Sequence, residues 1–234
     1  MSTNEEAGSK AGSKAVSKAG SKADLKANVQ ANSGSSPTWL ATFEVVHAAG
    51  LALWMGVLVM SGVVAAVAFP TMKRLDPKLP GFEAVGEHWK IAAGSVAFRV
   101  FTISDALQLV CVIVTLATLG LGLSLRSKEP NGVKSVLLAG RAILMSVASG
   151  LVGYQLFVLG PRMSENIAKY WAFAREGKVE LASAAQAAFE VDHPTASSVL
   201  YATLACVVVM LACVIIQSRG LGRGAFRARA GGGA

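Results

Sequence analysis

Charge is scarce in this sequence. Asp, Glu, Lys and Arg make up 15% of the 234 residues, against about 25% in ordinary soluble domains, and a water-soluble globule of this size is excluded. Cysteine is rarer still. Cys111, Cys206 and Cys213 are the whole set, all in apolar surroundings. An odd number so placed excludes a disulfide framework, and no CxxC or Cys/His zinc spacing exists; the three read as small apolar filler. Histidine occurs only at positions 47, 88 and 193. No GxSxG, HExxH, P-loop or dinucleotide fingerprint is present. With no catalytic residue to name, we expect a protein that is not an enzyme and holds no cofactor.

What the chain has instead is four long apolar runs, at residues 45–69, 100–125, 136–159 and 195–217. Each exceeds the roughly 20 residues that a helix needs to cross the hydrocarbon core of a bilayer. The fourth run carries no acidic, basic or histidine residue, and the others carry one each: His47, Asp105 and Arg141. The expected fold is an all-α membrane protein, four transmembrane helices in an up-down bundle with amphipathic surface helices in the two outer loops. The spans should occupy about 39–69, 98–125, 134–160 and 194–218, inside a membrane domain of 38–218.

Residues 1–37 form a separate arm. A four-residue unit (AGSK, AGSK, AVSK, AGSK, ADLK) repeats from Ala7 and sets Lys10, Lys14, Lys18, Lys22 and Lys26 at even spacing. With almost nothing apolar to bury, the arm reads as disordered. It has no apolar region of a secretory signal, and it is Lys-rich and carries Glu5 and Glu6, unlike a mitochondrial presequence. Residues 219–234 read as a basic Gly/Arg tail. The arm, the linker near Arg126 and Lys134 and the tail together hold more Lys and Arg than the two opposite loops, whose acids dilute them further. The positive-inside rule then places both ends in the cytoplasm, and we expect a multi-pass protein of the bacterial cytoplasmic membrane. The net charge of +8 is spread over arm, loops and tail. That spread speaks against nucleic acid and for anionic lipid headgroups as the partner of the lysine arm. The bilayer itself, a second copy or other membrane proteins complete the expected partners.

The outer loops have their own punctuation. Pro70, Pro77 and Pro80 are expected to stop the first helix, and a short amphipathic piece near Gly81 to lead into the second span. After Gly160, Pro161 and Arg162, the residues Met163, Ile167, Tyr170, Trp171 and Ala174 fall at helical spacing, Glu165 and Lys169 form an i,i+4 pair, and Gly177 interrupts. Pro194 suits the first position of the fourth span, with Asp192 as its cap.

Several stretches resemble a known family. Glu44, Val45, Val46 and His47 open the first span, LALWMGVLVMSGVVAAVAFPTMKRL follows from Leu51, GPRM closes the third span at Met163, and an acid-rich loop ends in DHPTASSVLY at Tyr201. This pattern resembles the transmembrane protein 205-like family, four-helix membrane proteins of unestablished activity, over roughly residues 42–214. The serine expected after the histidine of the fourth span falls one place late, at Ser197. The resemblance implies a fold and no reaction.

Candidate sites follow from depth. Glu44, His47 and Arg141 lie near the inner ends of spans one and three and are expected to form an inner cluster, or else an interfacial trio with Arg141 reaching to headgroups. Asp105 lies about 7 residues, roughly 10 Å, into span two. Gln108 shares its face, and Tyr154, Gln155 and Tyr201 match its depth. These five form an intramembrane polar cluster that either ties helices together or uses a protonated or ion-bound Asp105 to relay protons or cations. Two outer acid–histidine pairs, Glu87–His88 and Asp192–His193, are weak metal candidates; Asp192 as a helix cap is the alternative. Haem is excluded, because His47 is inner and the other two histidines outer, so His47 has no histidine partner at equal depth. Small-xxx-small spacing at Ala48, Ala52 and Gly56, and at Ser146–Gly150 and Ser149–Gly153, suggests close helix contacts. Three readings stay open, the least favoured being a membrane enzyme with an active site at the outer surface. The leading expectation is a membrane scaffold or assembly factor. The alternative is a small transporter or channel for protons, cations or metal complexes using Asp105.

Overall fold

The computed structural model describes residues 38–125 and 132–230, with side chains for 42–124 and 135–217. The lysine arm, most of the turn at Pro130 and Asn131, and the side chains of the basic tail lie outside the described residues. The chain divides into two units, Met1–Phe43 and Glu44–Ala234. Only the opening residues of one helix are described in the first; the helices, cores and sites belong to the second.

Among the described residues there is no strand. The elements are α1 (Thr38–Leu75), α2 (His88–Leu125), α3 (Gly132–Tyr154), a π-helical turn (Gln155–Leu159), α4 (Gly160–Arg175) and α5 (Val179–Ala230). The third apolar run passes through the π turn into α4 without interruption, so four continuous helices result. Each is long and apolar enough to cross a membrane, over Thr42–Leu75, His88–Ser124, Ser135–Arg175 and Val179–Gln217. Such helices satisfy their own backbone groups, which a hydrocarbon solvent demands.

The helices run further than the proline pattern indicates. α1 continues through Pro70 to Leu75 and stops only where Asp76 adopts φ +41°. α5 carries Pro194 in its interior rather than at its start. A proline removes one amide donor and crowds the preceding turn, yet neighbouring helices and hydroxyl groups make good the loss in membrane helices. Around Pro194, Ser197 Oγ donates to the His193 carbonyl (3.1 Å) and Ser198 Oγ to the Pro194 carbonyl (2.9 Å). The tail expected from 219 is helical to Ala230. Gly177 does interrupt, at φ +71°, a conformation a side chain would strain.

Two packed cores lie along the helices. The larger joins Leu51, Trp54 and Leu58 of α1, Cys111, Val112 and Leu119 of α2, Met145, Ala148 and Val152 of α3, and Val207, Met210 and Val214 of α5. The smaller joins Phe82 of the α1–α2 connection, Ile91 of α2, Tyr170 and Ala174 of α4, and Ala182 and Ala185 of α5. Along α1 and α3–α4 the numbering rises from the larger core toward the smaller one; along α2 and α5 it falls. The α1–α2 register agrees. Ser61 meets Ser104, Trp54 meets Gln108, Gly50 meets Thr115 and His47 meets Thr118.

Candidate functional site

Between the two cores the helices line a partly open chamber of about 500 Å³. Its walls come from 61–69 of α1, 89–108 of α2, 152–171 of α3, the π turn and α4, and 186–203 of α5. The π turn shapes it. Gly160 N–H bonds back to the Gln155 carbonyl, five residues earlier, and a Cβ at Gly160 would stand 2.8 Å from that oxygen. Only glycine permits this approach. Beyond the turn, Met163, Ser164 and Ile167 of α4 line the chamber.

Asp105 and Gln108 both line the chamber. Trp54 Nε1 donates to Gln108 Oε1 (3.5 Å) and Gln108 Nε2 donates to Asp105 Oδ1 (3.3 Å). The indole thus fixes which way the amide points, and the amide holds one carboxylate oxygen. Ser61 Oγ donates to Ser104 Oγ (3.0 Å) nearby in the register. Among the described residues no ion pair involves Asp105. Gln155 also lines the chamber, and its Oε1 is buried without a hydrogen-bond partner.

Two members of the expected polar cluster stand elsewhere. Tyr201 is 67% exposed on the outer face of α5, and Tyr154 is 39% exposed, against Arg162. Equal depth placed them near Asp105, but depth does not fix rotation about the helix axis.

The inner cluster is assembled and larger than the sequence indicates. Arg141 Nη1 donates to Gln217 Oε1 (2.6 Å) and Nη2 to Glu44 Oε2 (3.3 Å), and the arginine is 1% exposed. The reading with Arg141 reaching to headgroups is thereby overturned; its guanidinium is buried among helices. His47, also 1% exposed, lies within 2.9 Å of Thr118 Oγ1 through Nδ1. The Thr118 hydroxyl is also within hydrogen-bond reach of the Val114 carbonyl (2.8 Å) and the Thr115 carbonyl (3.1 Å). Each of the four helices therefore gives a polar residue to this knot. Sequence reasoning missed Gln217 and Thr118 here; a glutamine at the end of an apolar run, level with Arg141, is the signal that was available.

The four metal candidates have other partners. Glu87 pairs with Lys90. His88 Nδ1 accepts the Leu79 N–H (2.8 Å), which ties the α1–α2 connection to α2. Asp192 receives a two-pronged bond from Arg162, at 2.7 Å from Nε and 2.6 Å from Nη2. It links α5 to α4 and does not cap a helix. His193 stacks on Phe189 at 5.7 Å. Among the described residues, no group of three His, Cys, Asp or Glu is placed to hold a metal ion. In the α1–α2 connection, Glu83 is held below the usual carboxylate range by the Gly81 N–H (2.8 Å) and its own N–H, with His88 adding attraction.

The glycines of the small-residue stripes do not make close contacts, although Ala48 packs against the larger core. A Cβ added at Gly56, Gly150 or Gly153 would meet nothing within 4 Å, whereas one at Gly50 would lie 3.0 Å from Thr115 Cγ2.

No protein-family model matches the chain. No curated protein matches it either, and neither does any solved structure.

Proposed function

We propose that this chain is a multi-pass protein of the bacterial cytoplasmic membrane, an up-down four-helix bundle with both ends in the cytoplasm, that takes up protons or cations at Asp105. The supporting observation is the chamber itself. A bundle built only to hold other proteins has no use for about 500 Å³ of open space between two packed cores, and an intramembrane carboxylate in such a space marks an ion or proton path. The order of cores along the four helices supports the up-down arrangement. The likeness to the transmembrane protein 205-like family is part of the same proposal, as is the lysine arm resting on anionic lipid.

The test is flux in proteoliposomes. Wild-type protein should dissipate an imposed proton or cation gradient, and Asp105→Asn, which keeps the shape and the hydrogen bond from Gln108, should not. Equal flux in the two proteins, or none in the wild type, would remove the proposal.

A scaffold reading is favoured by one observation. Broad apolar faces point outward, with Leu53, Ile103, Ile113, Ile143 and Phe157 all exposed. Lipid covers such faces, and so does another membrane protein. Cross-linking in native membranes that captured one stoichiometric partner, lost on Ile103→Ala with Ile113→Ala, would carry it.

A further inference from the structure

The chamber is apolar over most of its wall, yet its fixed charges are lopsided. Two carboxylates line it, Asp105 and Glu190, and one ammonium, Lys90. Lys90 is already paired with Glu87 outside the wall. Glu190 accepts a bond from Gln186 Nε2 (2.8 Å), a neutral donor that leaves its charge in place. His193, the remaining titratable group of the lining apart from the phenol of Tyr170, stacks on Phe189. The hydrogen bond to Asp105 comes from a neutral amide too, that of Gln108. A guest that completes this wall carries positive charge.

The rest of the lining says what else the guest carries. Phe69, Phe98, Phe101, Trp171 and Phe189 line the space, as does Trp89, whose ring already has the Lys73 and Lys90 ammonium groups beside it. Phe98 and Trp171 meet edge to face at 5.8 Å, joining α2 to α4. Phe101 sits one helical turn, about 6 Å, from Asp105 on the same helix. Ring faces attract a poorly hydrated cation and bury an apolar body, while a small inorganic ion would forfeit its water shell to walls that cannot replace it. A volume of about 500 Å³ falls in the range of pockets that hold drug-sized organic molecules.

We infer that the chamber binds a lipophilic organic cation, its charge on the Asp105 carboxylate and its apolar body against the aromatic wall. This rests on the reading of the chamber as the uptake site and adds the class of guest.

Titration calorimetry of the purified full chain in detergent tests it, with tetraphenylphosphonium as the cationic probe and triphenylphosphine oxide as the neutral one. Wild-type protein should bind the cation at least about tenfold more tightly than the neutral compound. Asp105→Asn should abolish that preference and leave the neutral compound unchanged. Should Asp105→Asn not fold, Phe101→Leu keeps the apolar volume without the ring; it should weaken the cation several-fold more than the neutral compound. Equal affinity for both probes, or a preference that survives Asp105→Asn, overturns the inference and assigns the chamber to neutral apolar guests such as lipid chains. The flux assay separates the two proposals. Loss of cation preference with Asp105-dependent proton flux intact removes this inference alone. Loss of both removes the uptake site as well. Asp105-dependent, charge-selective binding carries the inference whatever the flux result.

Discussion

The same four helices are built in two manners along their length. At one end the polar groups that enter are met from across the bundle: Glu44 and Gln217 by Arg141, and His47 by Thr118. Leu51, Trp54, Met145 and Met210, all fully buried, fill the space beside them. Past Leu58 and Val152 the helices line a chamber, where Asp105 is held from its own helix by Gln108, Ser61 reaches Ser104 across α1 and α2, and Gln155 Oε1 is left without a partner. A membrane bundle gains little from bringing apolar faces together, because lipid is equally apolar. The knot and the larger core hold the helices together, and the chamber half is free to be a site.

That contrast is open to attack from its strongest point. Glu44→Ala removes the carboxylate from the buried Arg141 guanidinium, and we expect a loss of about 3 kcal/mol. Arg141→Met should cost clearly less, because an apolar side chain of similar length leaves no buried charge and Glu44 is partly exposed to solvent. Thermal unfolding in detergent compares the two. If Arg141→Met proves the worse, the knot is not governed by buried charge.

Next is the π turn. Gly160→Ala forces a Cβ against the Gln155 carbonyl, and restoring ordinary helix would turn α4 away from the chamber. About 2 kcal/mol of destabilisation is expected, the ordinary scale for overpacking, together with weakened probe binding. An unaltered protein would mean that the turn is not what shapes the wall.

A pair of glycines separates the two halves more finely. Gly50→Ala meets Thr115 at 3.0 Å and should lose about 1 kcal/mol. Gly94→Ala, on the chamber wall with nothing within 4 Å, should instead gain up to about 1 kcal/mol from helix propensity. Equal signs would erase the distinction between a tight and an open half.

The smallest effects concern Asp105 and the tyrosine that matches its depth on α5. Asp105→Leu leaves Gln108 Nε2 without its acceptor and should cost roughly 1 kcal/mol or less. Asp105→Asn should be stable, since the amide oxygen still accepts. Tyr201→Phe should change neither stability nor binding, because the phenol faces outward. A measurable loss there would bring Tyr201 back to the site.

Much of the architecture was legible in the residues. Hydropathy is a sum over a segment, and four runs longer than a bilayer's core announce themselves whatever surrounds them. Single polar residues in such runs were legible too: Glu44, His47 and Arg141 meet because each lies at the same end of its helix. Rotation about the helix axis was not legible. The four helices are apolar on nearly every side, with no polar stripe to fix which side faces inward. Depth alone therefore grouped Tyr154 and Tyr201 with Asp105 and left out Trp54. The same limit hid the use of Asp192, whose partner Arg162 lies thirty residues away. Local rules also overstated the prolines, since Pro70 and Pro194 are absorbed by helices that continue through them.

The sequence by itself determined four membrane-length helices and which few polar residues travel with them, because transfer of a segment into hydrocarbon depends on that segment alone. Only the tertiary structure decided the α1–α2 register, the π turn at Gly160, the two cores and the chamber between them. Those depend on which faces of uniformly apolar helices pack together, and that is settled by side-chain shape and a handful of hydrogen bonds between residues distant in the chain.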